Sequence, residues 1–222
     1  MNRDIRATWQ ENAEEWIKVI EADQISSRTF TNVAILKEIR KENPQKAVDI
    51  GCGEGWLTRE MTRLNIKAIG LDATMALLDH ARNQGPESYY EMTFEDLAAG
   101  TPIPEAPFDL AVFNFCLYEK DNTARVLQQT LNTLEAQGFL LIQTLHPFTL
   151  LTLGENYESQ WLSDAWRGLP GNFSNGHAWY ARTFQAWSAL LQSLKGTVAE
   201  WIEVLNDEKR PVSLILKIQR VT

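Results

Sequence analysis

The 222-residue sequence lacks several features that mark common classes of protein. It contains no apolar run of about 18 residues, so we expect no helix that spans a membrane. No Gly-Lys-Ser or Gly-Lys-Thr occurs, which argues against a P-loop and phosphoryl transfer. The segment Met1–Glu15 is polar without an apolar signal core, and the cysteines are Cys52 and Cys116 alone. Two cysteines are too few for a disulfide framework or a zinc site, so we expect a cytoplasmic protein without a metal.

Positively charged residues are also scarce, with 21 Lys and Arg against 29 Asp and Glu and a formal net charge of −8. A protein that binds nucleic acid through its phosphates usually has a basic surplus, so we predict no nucleic-acid partner. The length is sufficient to bury a full core without disulfides or a structural metal.

What the sequence does contain is a regular alternation of apolar strands and helical spacing up to residue 144. Such alternation is typical of a parallel α/β sheet rather than a sandwich. Two later strands are joined by only 206–211, which is too short for a parallel crossover, so they must form an antiparallel hairpin. The predicted sheet has seven strands, six parallel and the last reversed: 46–50, 66–71, 88–92, 109–113, 138–144, 198–205 and 212–218. The predicted helices are 9–20, 27–40, 56–64, 75–84, 121–135 and 183–194.

A glycine-rich loop, Gly51-Cys-Gly-Glu-Gly55, follows the first strand. Its glycines allow the backbone to turn tightly next to a ligand, although a plain strand-to-helix turn would use them too. Asp72 ends the second strand, where a carboxylate can accept the hydroxyls of a ribose or cap the following helix. A nicotinamide-binding loop needs a small residue at its sixth position, and Trp56 stands there, which argues against that loop.

Four motifs together resemble those of class I S-adenosylmethionine-dependent methyltransferases: Asp49-Ile-Gly-Cys-Gly-Glu-Gly, Gly70-Leu-Asp72, Phe108-Asp109 at the start of the fourth strand, and Gly138-Phe-Leu-Leu-Ile. The match is close over 46–146. Two further segments are similar to a branch of small-molecule methyltransferases: Ile142-Gln-Thr-Leu-His-Pro147 and Trp179-Tyr-Ala-Arg182. The resemblance implies a Rossmann-like three-layer α/β sandwich, S-adenosylmethionine as the cofactor and a small-molecule methyl acceptor.

The resemblance also implies how the chain is organised, as one methyltransferase domain over 1–222. Within it we expect N-terminal helices in 1–43, a cofactor-binding core in 44–146, a substrate insert or lid in 147–182, and a C-terminal helix and hairpin in 183–222.

The cofactor contacts follow from the same resemblance. After the third strand the family usually has an acidic residue that accepts the adenine amine; Thr93 stands there, so either Thr93 or Glu95 takes that contact. Arg28 would pair with the cofactor carboxylate, with a solvated charge at a helix start as the alternative. The residues expected to bind the cofactor are Trp16, Arg28, Asp49, Gly51, Cys52, Gly53, Asp72, Ala73, Thr93, Phe94, Glu95 and Asn114.

Methyl transfer requires mainly proximity and orientation, and a general base only where the acceptor is protonated. His146 ends the fifth strand at the cleft and is the predicted base, with a hydrogen-bonded structural histidine as the alternative. Aromatic residues of the insert either pack it onto the core or wall the acceptor pocket; those we assign to the pocket are Trp166, Trp179 and Tyr180. Three acidic residues of the insert favour a cationic or neutral acceptor over a polyanion: Glu155, Glu158 and Asp164.

Three functions therefore agree with the sequence. The first is a methyltransferase that acts on a small molecule. The second is a nicotinamide-dependent oxidoreductase on a Rossmann fold, which Trp56 and the reversed last strand disfavour. The third is a protein that binds S-adenosylmethionine without transferring its methyl group. Pairing of the N-terminal helices into a homodimer is also compatible with the sequence.

Overall fold

The computed structural model describes residues 4–195 and 197–220. Residues 1–3, 196 and 221–222, which the predicted domain includes, lie outside this description. The helices are α1 (Ile5–Glu21), α2 (Arg28–Glu42), α3 (Trp56–Arg63), α4 (Met75–Gln84), α5 (Phe94–Ala99), α6 (Thr123–Asn132), α7 (Thr149–Thr152) and α8 (Phe184–Gln192). The strands are β1 (Lys46–Ile50), β2 (Lys67–Asp72), β3 (Ser88–Glu91), β4 (Phe108–Asn114), β5 (Leu134–Leu145), β6 (Gln160–Leu162), β7 (Trp179–Ala181), β8 (Thr197–Leu205) and β9 (Pro211–Arg220).

Seven of these strands form one sheet in the order β3-β2-β1-β4-β5-β9-β8. The first five run parallel, and β9 lies antiparallel between β5 and β8. Because β8 is antiparallel to β9, it runs in the same direction as the first five. The predicted sheet, with six parallel strands and the last one reversed, is confirmed.

The central strands are buried on both faces, as their continuous apolar sequences predict. Successive residues of β4 point to opposite sides: Phe113 packs into a layer with α5, α6 and α8, whereas Val112 packs into a layer with α2 and α3. Helices therefore cover both faces and give the predicted three layers. The order of the strands reverses at β1 and β4, and the crevice beyond their carboxyl ends is where open α/β sheets bind ligands.

The structure corrects three details of the prediction. The helix predicted over 121–135 ends at Asn132, because Leu134 already pairs with Phe108 as the first residue of β5. Helices α5 and α7 were not predicted, since four or six residues carry too little periodicity to be detected. The predicted strand 198–205, which contains Trp201, is an edge strand and not a central one, so this side chain is 39% exposed.

The insert 147–182 contains α7 and the separate two-stranded sheet of β6 and β7. Polar contacts hold it against α1: the Asn12 amide donates to the carbonyl of Ser174, and the Ser174 amide donates back to Asn12 Oδ1 at 2.8 Å. The insert thereby closes over the crevice from one side while α1 closes it from another. Across residues 4–195 and 197–220, no helix combines the length and the apolar character needed to cross a membrane.

Candidate cofactor and acceptor site

A cavity of about 1220 Å³ opens at the carboxyl ends of the parallel strands, between the sheet, α1 and the insert. Typical sites for one small ligand measure roughly 300–1000 Å³, so this cavity has room for a cofactor and a second molecule. All of the residues that we predicted as catalytic, cofactor-binding or acceptor-binding line this cavity, from Trp16 on α1 to Tyr180 in the insert. The fold therefore brings the predicted residues to one place.

The glycine-rich loop forms one wall of the cavity. Gly51 has a φ of +73°, and a Cβ there would lie 2.6 Å from the Cβ of Cys116. The amides of Gly51 and Cys52 both donate to the carbonyl of Leu71, at 2.8 and 2.9 Å. The loop thus turns sharply against the ends of β2 and β4, which only a residue without a side chain permits at Gly51.

Asp72 fixes this loop to the end of β2. Its Oδ2 accepts the amide of Gly53 at 2.9 Å, and its Oδ1 accepts the amide of Thr74 at 2.7 Å. Thr74, and not Asp72, is the cap residue of α4. Burial raises the pKa of Asp72, while the bonds from Gly53 and Thr74 act in the opposite direction. The carboxylate is therefore preorganised at the cavity with lone pairs still available to a ligand.

Three carboxylates share this part of the cavity. Asp49 is buried and accepts the hydroxyl of Thr58 at 2.8 Å. Burial, together with the charges of Glu54 and Asp72, raises the pKa of Asp49 to about 7, although the hydrogen bond from Thr58 acts in the opposite direction. Glu54 accepts the Trp16 indole N–H at 3.1 Å through Oε2, while its Oε1 is buried without a hydrogen-bond partner. This cluster, Asp49, Glu54 and Asp72, favours a cationic ligand group.

Arg28 brings the opposite charge to the same wall. Its guanidinium lies over the Trp56 ring, 4.7 Å from the centroid, and it borders the cavity. Burial lowers the pKa of Arg28, and the charges of Glu54 and Asp23 only partly offset that effect. Trp56, which stands where a dinucleotide loop would have a small residue, thus supports a cation at the rim.

The opposite end of the cavity is formed by the start of α5. The hydroxyl of Thr93 donates to Asp96 Oδ2 at 2.7 Å and accepts the Asp96 amide at 3.0 Å, which completes a capping box. The cap uses the proton and one of the two acceptor lone pairs of the Thr93 hydroxyl, and Glu95 also borders the cavity, so both stay candidates for the adenine amine. Phe94 packs edge-on against Phe113, 6.0 Å between centroids, and offers an apolar wall.

The residues after β4 contribute polar groups that sequence reasoning found only in part. Asn114 was predicted, and its side-chain Oδ1 is buried without a hydrogen-bond partner among the described residues. Tyr118 was not predicted, because it lies in an irregular loop without a motif; it borders the cavity, and burial strongly raises the pKa of its phenol. Its ring meets the fully buried His177 at 5.0 Å between centroids.

The contacts of His146 bear on the two roles predicted for it, a general base or a hydrogen-bonded structural histidine. The side chain is buried, its Nε2 lies 2.9 Å from Glu203 Oε1, and its Nδ1 accepts the amide of Phe148 at 3.2 Å. Because Nδ1 accepts a bond, the ring proton is assigned to Nε2 and is donated to Glu203. Both ring nitrogens are then engaged, and these contacts favour a structural histidine that joins β5 to β8 over a general base.

We expect His146→Gln to lower the free energy of unfolding by about 1–3 kcal/mol, because it disrupts buried hydrogen bonds to Glu203 and to the Phe148 amide. Binding of S-adenosylhomocysteine by the folded variant should be unchanged. Urea denaturation and titration calorimetry measure the two quantities. Unaltered stability together with lost methyl transfer would favour His146 as the base.

The predicted acceptor residues divide into packing and lining groups. Trp166 is 6% exposed, stacks on Phe173 at 4.8 Å and meets Trp9 edge-on at 4.7 Å, so it mainly packs the insert onto α1. Trp179 and Tyr180 lie on β7 and are only half-buried. Both border the cavity and supply a flat aromatic surface there.

Comparison with families of known proteins agrees with this geometry. Residues 19–194 match a family model described as a methyltransferase domain. The chain belongs to this family of methyltransferase domains. The match includes the glycine-rich loop, Asp72, the insert and α8, and so covers most of the site described above.

Individual relatives are more distant. A malonyl-[acyl-carrier protein] O-methyltransferase of Legionella pneumophila is 27% identical over 157 residues, which are 69% of this chain and 54% of that protein. A ubiquinone biosynthesis O-methyltransferase of Rhodopseudomonas palustris is 23% identical over 121 residues, 53% of this chain and 48% of that protein. The chain thus spans about half the length of these curated relatives.

Solved structures share the fold. The 1,6-didemethyltoxoflavin-N1-methyltransferase of Burkholderia thailandensis, solved with its substrate and S-adenosylhomocysteine, has a TM-score of 0.68 at 15% identity and covers 98% of this chain and 88% of that one. An S-adenosylmethionine-dependent methyltransferase of Mesorhizobium loti has a TM-score of 0.59 at 22% identity, covering 79% and 90%. The Rossmann-like methyltransferase fold is therefore confirmed.

Proposed function

We propose that this chain transfers the methyl group of S-adenosylmethionine to a small-molecule acceptor. The observation that carries the proposal is the cluster of Asp49, Glu54 and Asp72 on the glycine-rich side of the cavity, with the pKa of Asp49 raised to about 7. S-adenosylmethionine carries a sulfonium and an ammonium, which this cluster attracts. A nicotinamide dinucleotide carries a diphosphate, which the same cluster repels.

The groups left without partners fit the cofactor. Glu54 Oε1 and Asn114 Oδ1 are buried acceptors without a donor, and an ammonium group supplies donors for both. Arg28 would hold the carboxylate of the methionine part, and Asp72 the ribose hydroxyls. The adenine would lie between Ala73 and Phe94, with Thr93 or Glu95 at its amine. The open backbone at Gly51, Cys52 and Gly53 would pass beneath the methionine part, and Trp16 would cover it.

When bound, the cofactor supplies an activated methyl group that a nucleophile can displace in line. The protein then contributes mainly proximity and orientation, worth up to roughly 7–11 kcal/mol in favourable cases. Residues of α1 and of the insert line the cavity on two sides, and the aromatic surface of Trp179 and Tyr180 would orient the acceptor. With His146 engaged by Glu203, we assign no general base, which suits an acceptor that is already nucleophilic near neutral pH.

The small-molecule acceptor is supported by the volume of the cavity, about 1220 Å³, and by the names of two similar proteins, a ubiquinone biosynthesis O-methyltransferase and a 1,6-didemethyltoxoflavin-N1-methyltransferase. We include in the proposal the division of the chain into N-terminal helices, core, insert and C-terminal hairpin, a cytoplasmic location and the absence of a nucleic-acid partner. A homodimer stays a prediction, which light scattering can check. The N-terminal helices would form its interface, and the apolar side chain of Val33 on α2 is 63% exposed there.

We expect Arg28→Gln to weaken binding of S-adenosylhomocysteine by about tenfold, because the ligand carboxylate would lose its half-buried cationic partner. Methylthioadenosine lacks that carboxylate, so its affinity should be the same for the variant and the wild type. Arg63→Gln, at an exposed arginine paired with Glu60, is the control. Equal losses for both ligands would show that Arg28 acts on the fold of the loop instead.

The proposed activity is tested with methyl-tritiated S-adenosylmethionine and a panel of small oxygen, nitrogen and sulfur nucleophiles. Label in an extracted product that depends on both enzyme and acceptor supports a methyltransferase. Binding of S-adenosylhomocysteine without transfer across the panel would favour a protein that binds the cofactor as a sensor.

A further inference from the structure

A buried arginine borders the half of the cavity that the insert closes. Arg182 follows β7, is 6% exposed and lines the cavity. Its Nη2 donates to the carbonyl oxygens of Glu119 and Lys120 and, at 2.9 Å, to Thr123 Oγ1. Its Nη1 is buried and has no hydrogen-bond partner within the described chain. A guanidinium donor is therefore left unmet at the wall of the site.

Aromatic rings hold this guanidinium in one orientation. Its Cζ lies 5.1 Å from the centroid of Tyr180 and 5.0 Å from that of Trp187. Stacking against rings leaves the in-plane N–H groups as the ones that can meet a ligand. Tyr180 also packs edge-on against Trp161, 5.4 Å between centroids, so the arginine lies beside an aromatic wall.

The charge of Arg182 is not neutralised by an ion pair with any Asp or Glu in the part of the chain that the structure describes. Burial lowers the pKa of Arg182 to about 10, and the charges of Tyr180 and Asp121 offset that effect only in part. A buried charge without a counter-ion is strongly unfavourable, and its hydrogen bonds here go to neutral oxygens alone. An anionic ligand group would supply both the missing charge and the missing acceptor.

We propose that Arg182 binds a carboxylate of the methyl acceptor, which makes the acceptor a carboxylic acid with a flat apolar part. The inference rests on the proposed function and specifies its substrate class. A carboxylate matches the planar fork of arginine, and the aromatic wall of Tyr180 and Trp161 suits a planar body. A phosphate dianion fits less well, because Glu119 and Asp121 lie in the same loop and would repel its second charge.

This inference revises the expectation that the acceptor is cationic or neutral. That expectation used acidic residues of the insert, of which Glu155 pairs with Arg167. Part of the negative charge of the insert is therefore neutralised by Arg167. Arg182 at the cavity wall has no ion-pair partner among the described residues. Lys120, 5.4 Å from the Tyr180 centroid, places a second cation beside the same ring.

Arg182 also ties the insert to the loop after β4, so a loss of activity alone would not distinguish binding from structure. The selective readout is the preference for an acid over its own methyl ester, which a purely structural role would not change. The probes are benzoate, 4-hydroxybenzoate and cinnamate, each paired with its methyl ester, and phenyl phosphate. Affinities are measured by titration calorimetry with and without saturating S-adenosylhomocysteine.

We expect at least one acid to bind about tenfold more tightly than its ester, and Arg182→Gln to abolish that preference. Arg182→Lys keeps the positive charge but not the planar fork, so it should reduce the preference for the acid. This variant takes the place of Arg182→Gln in the test if Arg182→Gln does not fold. Arg167→Gln, at an exposed arginine of the same cavity, should retain it.

No preference for any acid, a preference that survives Arg182→Gln, or tighter binding of phenyl phosphate than of every acid would each overturn the proposal. The separate titration of S-adenosylhomocysteine reports on the proposed function. Failure of that titration is therefore distinguishable from failure of the carboxylate site.

Discussion

Replacement of Asp72 by alanine is expected to weaken binding of S-adenosylhomocysteine by about tenfold or more. The carboxylate anchors the amides of Gly53 and Thr74 and, in our proposal, accepts the ribose hydroxyls. Alanine removes both functions at once, so the glycine-rich loop loses its support together with the ligand contact. Titration calorimetry of the purified variant measures the change directly.

The matched control is Asp79→Ala. Asp79 lies on α4 close in sequence to Asp72, but its side chain is exposed and pairs with Arg82 at 2.9 Å outside the cavity. Its removal should leave the affinity unchanged, since exposed ion pairs contribute little. An affinity that is also unchanged in Asp72→Ala would contradict the assignment of Asp72 to the ribose.

Gly51→Ala should lower the free energy of unfolding by about 3 kcal/mol or more and abolish cofactor binding. Two effects add at this position: a φ of +73°, which alanine adopts only with strain, and a Cβ that would lie 2.6 Å from the Cβ of Cys116. The backbone must move to relieve the contact, and that movement displaces the loop that faces the cofactor. Chemical denaturation and calorimetry test the two consequences.

Gly154→Ala is the control that separates the effect of backbone strain from the effect of the steric clash. Gly154 has a similar φ of +79°, but a Cβ there would meet nothing within 4 Å. It should therefore show the backbone effect alone, about 1–2 kcal/mol. If both variants lost the same stability and both still bound S-adenosylhomocysteine, close packing of Gly51 against Cys116 would not be what shapes the loop.

The sheet could be predicted from the sequence because each strand is a short apolar run and the connections constrain direction. The five residues that join β8 to β9, 206–210, exclude a parallel crossover, and the short connection alone identified the reversed strand. Short elements could not be predicted in this way. Helix α5 rests on one capping box, and β6 and β7 have three residues each, so tertiary contacts rather than periodicity determine them.

The cofactor side of the site was predictable because its residues sit at the ends of β1, β2 and β4, which a parallel sheet brings together. Glu54 lies within the glycine-rich motif. The sequence does not reveal, however, that its Oε1 is buried without a hydrogen-bond partner among the described residues, because this depends on how the loop packs in the fold. The acceptor side was harder. Arg182 and Tyr118 lie on the insert and a loop, and only folding reveals which of their donors remain without partners. His146 was placed correctly at the cleft, but its engagement by Glu203 of β8 is a long-range contact.

The central claim is that the acidic glycine-rich loop selects a cofactor with a methionine ammonium group over a dinucleotide with a diphosphate. It is tested most directly by titrating the wild-type chain with S-adenosylhomocysteine and, separately, with NAD⁺. We predict one S-adenosylhomocysteine bound per chain, and no heat of binding with NAD⁺. Binding of NAD⁺ without binding of S-adenosylhomocysteine would contradict the account.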